Sequence, residues 1–243
     1  MKERGGLPKK FEVYITVDVE PDCPPYLWTW RGIEEGMPKL IDLLAEEKVP
    51  GTFFITGHTA SRYPQTVEAV VEHGHEIGCH GFSHLSFMTF DEDRARFEVN
   101  HTNALLREFA PVTSFRAPYL QLPETFLPLL ATDGIKTDSS RAKYKFCEKP
   151  NACVPSVRRL SASATSSVLR LPALVRNPWL TRLKSPVVLF VHPWEFVDLT
   201  QSPIRLDCRF RTGDPALRHL RDVIQLFRNA GATFRLVRDF PGD

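Results

Sequence analysis

The sequence carries almost no excess of charge. Thirty-one Lys and Arg stand against 29 Asp and Glu, a net +2 over 243 residues. So even a balance leaves no electrostatic footprint for nucleic acid or an anionic membrane surface, and neither is expected as a partner. No apolar run approaches the ~18 residues needed to cross a bilayer. The first ten residues, Met1 to Lys10, are charged and lack the apolar core of a secretory signal. They predict a flexible tail on a cytoplasmic protein. The five cysteines (Cys23, Cys79, Cys147, Cys153, Cys208) are odd in number and scattered, which suits a reducing compartment better than a disulfide framework. No Cys-x2-Cys pair exists, so a metal site must be built from histidine and carboxylate. Internal repeats and Pro-rich linkers are also missing, and residues 11–243 read as one domain.

What is present is alternation. Short β-rich runs (11–19, 52–56, 76–80, 114–119, 135–139, 168–171, 186–192 and 232–237) are separated by helical patterns. Met37, Leu40, Ile41 and Leu44 recur on one helical face. Val67, Val70 and Val71 mark a second helix, stopped at Gly74. Phe97, Ala104, Leu105 and Phe109 predict a third, capped by Asp91 or Asp93. Leu217, Leu220, Val223, Ile224 and Phe227 stripe a helix over 215–230. Residues 141–166 read as an irregular loop over one face. Strand–helix alternation predicts a parallel sheet. Seven or eight units in one domain predict an α/β fold of the closed, distorted TIM-like (β/α) barrel type.

Unusual polar residues then fall where strands end. Asp18 and Glu20 close the first strand, His80 the third with His84 beyond it, and Asp138 the fifth; Arg116 lies in the fourth. His192 and Glu195 follow the apolar run 187–191. In a barrel these ends share the face that carries active sites. Asp18 and Glu20, two apart on a strand, point to the same side. Beside two histidines, one carboxylate completes a three-ligand metal set and the other stays free as a base. Either assignment of the two is open on spacing alone. Trp28 and Trp30, in the loop after strand one, and Trp194, beside His192, are candidates to stack on a substrate; packing of the loop on the barrel rim is the alternative for the first two.

Five motifs in order make the chain resemble the polysaccharide deacetylases, carbohydrate esterase family 4. They are Thr16-Val17-Asp18-Val19-Glu20, His80-Gly81-Phe82-Ser83-His84, Arg116-Ala117-Pro118-Tyr119, Thr137-Asp138-Ser139-Ser140 and Leu189-Phe190-Val191-His192-Pro193. The resemblance implies a distorted (β/α) barrel and hydrolysis of N-acetyl groups on an amino sugar or polysaccharide. It implies one divalent metal ion, zinc in most members, with cobalt or another ion as alternatives, held by His80 and His84. It implies Asp18 as general base, Arg116 orienting it, the Tyr119 backbone N–H in an oxyanion hole, and His192 as general acid. Asp138 lies on the motif that supports Arg116 or His192.

The first motif departs from the pattern of many members, in which two aspartates are adjacent and the second is the ligand. Val19 stands there and cannot ligate, so Glu20 is the expected third ligand. This variant branch includes hydrolases of small amides, which keeps a linear amide or cyclic imide as an alternative substrate. A catalytically inactive carbohydrate-binding barrel is the alternative outside enzymes. The expected partner is a small molecule or an oligosaccharide.

Overall fold

The computed structural model describes residues 11–27, 29–144 and 156–241. Residues 1–10, expected as a tail, lie outside them. The chain begins with β1 (Glu12–Val19), a π-helical turn (Gly32–Gly36) and α1 (Met37–Glu46). It continues through β2 (Gly51–Ile55), α2 (Gly57–Arg62), α3 (Pro64–Glu72), β3 (Glu76–Cys79), α4 (Glu92–Leu106), β4 (Ser114–Phe115), α5 (Leu127–Thr132) and β5 (Thr137–Asp138). Then come β6 (Arg158–Arg159), α6 (Ser166–Leu169), α7 (Ala173–Leu180), β7 (Val187–Val191), α8 (Leu206–Arg209), α9 (Asp214–Asn229) and β8 (Thr233–Phe234). Among these, no helix is long and apolar enough to cross a membrane.

The strands form one parallel sheet in the order β6-β5-β4-β3-β2-β1-β7, with β8 added to the start of β1. The curled sheet closes through residues 160–164. Ser163 N donates to Val188 O at 2.7 Å, and Ala164 bridges to Leu189 of β7. The result is the expected distorted (β/α) barrel.

β1 explains how the barrel divides inside from outside. It is buried on both faces, as a parallel strand under helices must be. Val13, Ile15, Val17 and Val19 point outward into the main core, where they meet Leu40, Leu44, Val223 and Phe227 of the helices. Tyr14 points inward to a floor made with Phe54, Leu160, Val188, Val237 and Phe240. Thr16 and Asp18 follow on that inner side, so polarity rises along the barrel axis towards the strand ends.

Several boundaries differ from expectation. Residues 168–171, expected as a strand, form the end of α6 and the turn after it, because so short a run has no period to separate helix from strand. The fourth strand stops at Phe115. Pro118 and the left-handed Tyr119 and Leu120 (φ 60° and 53°) turn the chain away. The fifth and last strands shrink to two residues each. Part of the expected loop 141–166 is strand β6 and its continuation. On α4, Asp91 caps the helix as expected, but the buried face is Ala95, Val99 and Leu106, while Phe97 is exposed.

Candidate active site

The inner side of β1 delivers Asp18 and Glu20 to the open end of the barrel. Arg116, fully buried, reaches across from β4. Its Nη1 donates to Asp18 Oδ1 at 2.6 Å and to Thr16 Oγ1 at 2.8 Å. Its Nε and Nη2 donate to Ser139 O and Oγ. The guanidinium carbon lies 4.4 Å from the centre of the Phe54 ring and 5.5 Å from that of Phe190. A buried cation so saturated with acceptors and aromatic faces keeps its charge and orients the carboxylate beside it.

Glu20 meets the two histidines. Its Oε2 pairs with His84 Nε2 and lies 3.4 Å from His80 Nε2. One ligand atom from each of Glu20, His80 and His84 lies within 4.8 Å of the others, and all three side chains are buried. His80 Nδ1 donates to the Arg116 carbonyl at 2.7 Å, which turns its Nε2 to the cluster, and that buried atom has no hydrogen-bond partner. Two imidazoles and a carboxylate in one buried cluster suit a divalent ion. Burial opposes charge on Glu20. His84 and His192, with the contact from His84 Nε2, nevertheless hold its carboxyl well below the usual range.

Local structure fixes this pair. Gly81 turns the chain after β3 with φ 71°, and His84 itself sits at φ 57°. Glu98 of α4 clamps the turn between them by accepting from Phe82 N, Ser83 N and Ser83 Oγ. Sequence reasoning missed Glu98, which has no cue other than being an acid on the buried side of a helix. The left-handed Tyr119 lays its ring edge-on to His84, with centroids 4.9 Å apart.

On the opposite wall, His192 Nδ1 lies 2.7 Å from Glu195 Oε1, which also accepts from His192 N. Glu195 Oε2 pairs with Arg170 Nε at 3.1 Å. His192 Nε2 faces inward, 3.9 Å from Glu20 Oε1, and the ring stacks on Trp194 at 4.9 Å. Burial alone lowers the His192 pKa, but the charge of Glu20, the hydrogen bond and charge of Glu195, and Asp18 raise it to about 9. The cue for Glu195 is its place three residues after His192, the reach of one turn. Arg170 has no such cue.

Two expected site residues stand elsewhere. The Thr137–Ser140 motif does hold Arg116, but through Ser139. Asp138 points the other way, as alternation requires, and accepts from Ser140 N and Oγ while pairing with Arg159. Ser140 Oγ in turn accepts from Ala117 N, so Asp138 braces the turn that carries Tyr119. Trp30 lies outside the cavity, against His58, Tyr63 and Arg62. The cause is Asp22, which folds the loop back by accepting from Thr29, Arg31 and Gly32. Trp28 lies outside the described residues. Asp18, Glu20, His80, His84, Tyr119, His192 and Trp194 line one cavity of about 200 Å³, closed on one side by Leu120, Tyr144 and Phe190.

A (β/α) barrel whose strand ends gather a carboxylate–arginine pair, a Glu/His/His cluster and a carboxylate-held histidine carries its candidate site on the face that is usual for that fold. Residues 5–137, more than half of the chain, match the model of the polysaccharide deacetylase family, and the chain belongs to that family. It is 32% identical over 125 residues to a peptidoglycan-N-acetylglucosamine deacetylase of Bacillus cereus, covering 51% of this chain and 42% of that protein. It is 33% identical over 103 residues to a peptidoglycan-N-acetylmuramic acid deacetylase of Bacillus subtilis, covering 42% and 39%. The matched part thus spans about two fifths of these relatives. In structure it resembles a family pseudoenzyme from Bacillus anthracis, with TM-score 0.67 and 15% identity over 96% of this chain and 66% of that one. That likeness shows the fold alone.

Proposed function

We propose that this protein is a metal-dependent deacetylase that hydrolyses the N-acetyl amide of an amino sugar in an oligo- or polysaccharide. The observation that carries the reading is that Asp18 and His192 flank the Glu20, His80 and His84 cluster within one cavity. Glu20, His80 and His84 hold the divalent ion, zinc or cobalt. When bound, such an ion polarises a carbonyl and acidifies water. Asp18, oriented by Arg116, takes the proton from water as its oxygen attacks the acetyl carbon. The turn at Tyr119 presents its backbone N–H to the oxyanion, a donor of a kind worth about 10²–10³ in rate. His192, protonated on Nε2 and oriented by Glu195, gives that proton to the nitrogen as the C–N bond breaks. Acetate and a free amine result. The two relatives act on acetylated amino sugars by name, which supports this substrate class.

A second reading uses the same groups on a small linear amide or cyclic imide. It is favoured by the cavity's size and by the wall of Leu120, Tyr144 and Phe190. A screen for acetate and amine release separates the two, run on acetylated chitooligosaccharides, peptidoglycan fragments, small amides and cyclic imides, with zinc and cobalt added separately. Acetate from the oligosaccharides supports the first reading, and turnover of imides alone supports the second. Absence of both bound metal and hydrolysis leaves an inactive carbohydrate-binding barrel.

A further inference from the structure

The cavity wall holds two groups for which this hydrolysis has no use. Cys23, in the loop after β1, is 3% exposed, and Cys208, on α8, is partly exposed. Both line the cavity beside Asp18, Glu20 and His192. Both pack into the cluster formed by Trp194, Leu199 and Ile204. Each thiol is the strongest influence on the other's ionisation, although 185 positions separate them in sequence. Thiols brought to one cavity wall and one cluster can be bonded by local adjustment rather than rearrangement of the fold.

We infer that Cys23 and Cys208 form a reversible dithiol–disulfide pair in the wall of the metal cavity, oxidised by small disulfides of the glutathione class. The two thiols differ in a way that orders the steps. Cys23 lowers the Cys208 pKa against the effect of burial, and Arg205 and Arg170 act in the same direction. Cys208 in turn, together with burial, pushes Cys23 up. Cys208 is therefore both the more accessible sulfur and the more readily deprotonated of the two.

In the first step the Cys208 thiolate attacks one sulfur of glutathione disulfide. A Cys208–glutathione bond forms and one glutathione thiolate leaves. In the second, Cys23 sulfur attacks Cys208 Sγ, the Cys23–Cys208 bond forms, and the second glutathione leaves with the proton from Cys23. Two electrons pass from the protein thiols to one glutathione disulfide, which becomes two glutathiones. The new bond ties the loop after β1 to the segment whose carbonyls at Asp207, Cys208 and Phe210 accept from Arg170. Arg170 is the partner of Glu195, so the pair is wired to the histidine wall of the site. None of this chemistry depends on which amide the site hydrolyses.

The test uses the full chain with Cys147→Ser and Cys153→Ser, which leaves Cys79 as an internal control. Cys79 is fully buried, and burial pushes its thiol up to about 12. The folded protein is equilibrated with mixtures of reduced and oxidised glutathione, quenched by alkylation and mapped by mass spectrometry. The expected product is a peptide pair joined through Cys23 and Cys208 that grows with the oxidised fraction and disappears on adding dithiothreitol. Adding Cys23→Ser should trap Cys208 as its glutathione adduct, and adding Cys208→Ser should leave Cys23 unmodified. Circular dichroism checks that each variant is folded. A persistent glutathione adduct at Cys208 while Cys23 is present overturns the inference. So does a joined peptide that appears only after unfolding, or the absence of any modification at the most oxidising mixture.

Discussion

The carbonyl oxygen of Arg116 lies 2.7 Å from His80 Nδ1, while the guanidinium of the same residue holds Asp18 at 2.6 Å. One buried residue thus sets the tautomer of an imidazole through its backbone and the orientation of a carboxylate through its side chain. The two tasks can be separated by mutation. Asp18→Asn keeps an oxygen for Arg116 and leaves His80 untouched. Turnover should fall by at least about 10²-fold, the usual minimum for losing a general base. Metal content, measured by elemental analysis, should stay at the wild-type level. Loss of the ion from Asp18→Asn would make Asp18 a ligand and reverse the roles of the two carboxylates.

Metal binding should be visible without any substrate. An ion that binds only the folded chain stabilises it by about 2.7 kcal/mol at a hundredfold excess over Kd. The thermal midpoint of the wild type should therefore rise on titration with zinc and fall back with a chelator. Glu20→Gln and His84→Ala each remove one ligand from the cluster and should flatten that response. An unchanged zinc shift in both variants would place the ion elsewhere.

The first carboxylate and histidine motifs are legible in the sequence because buried parallel strands are written as apolar runs, and polar residues that interrupt their ends stand out. The run 187–191 announces β7, and His192 announces its open end. Two-residue strands such as β4 and β5 leave no such trace. Their pairing is set by neighbours on either side, not by their own pattern. Supporting partners are hidden for a related reason. Arg170 meets Glu195 from 25 positions away, and Ser139, not the more conspicuous Asp138, faces Arg116. Alternation along the strand decides that last choice, and the strand is too short to fix its register from sequence.

Glu195 offers a test of the histidine wall. Its charge and its hydrogen bond both help to raise the His192 pKa to about 9. A protonated His192 donates to the leaving nitrogen, so activity should decline as pH rises through its pKa, which an ion held at Glu20 would set below the metal-free value. Glu195→Gln removes the charge but can keep a hydrogen bond to Nδ1. The alkaline limb of the rate profile of the metal-loaded enzyme should then move to lower pH, with about a tenfold or greater loss near pH 8. Profiles that superimpose would show that His192 donates no proton in the rate-limiting step.

His75 supplies a pH dependence of stability that is independent of the site. It stands just past the second helix of the sequence pattern and is only 7% exposed. Its Nδ1 accepts from Gly51 N at 3.2 Å and its ring lies against Phe53. Protonating Nδ1 breaks that hydrogen bond and buries a charge. Burial, with His73 nearby, accordingly lowers the pKa from 6.5 to about 4. Between those values the unfolded chain binds the proton and the folded chain does not. The contribution is complete above pH 6.5 and is lost as pH falls towards 4. From pH 7.5 to pH 5 the loss amounts to about 2 kcal/mol. His75→Asn keeps an acceptor for Gly51 and cannot titrate. Carboxylates protonate alike in both proteins, so the difference in urea-unfolding free energy between wild type and variant isolates this residue. That difference should shrink by about 2 kcal/mol over the same interval. A constant difference would mean that the folded protein accommodates charge on His75, with the Gly51 contact dispensable.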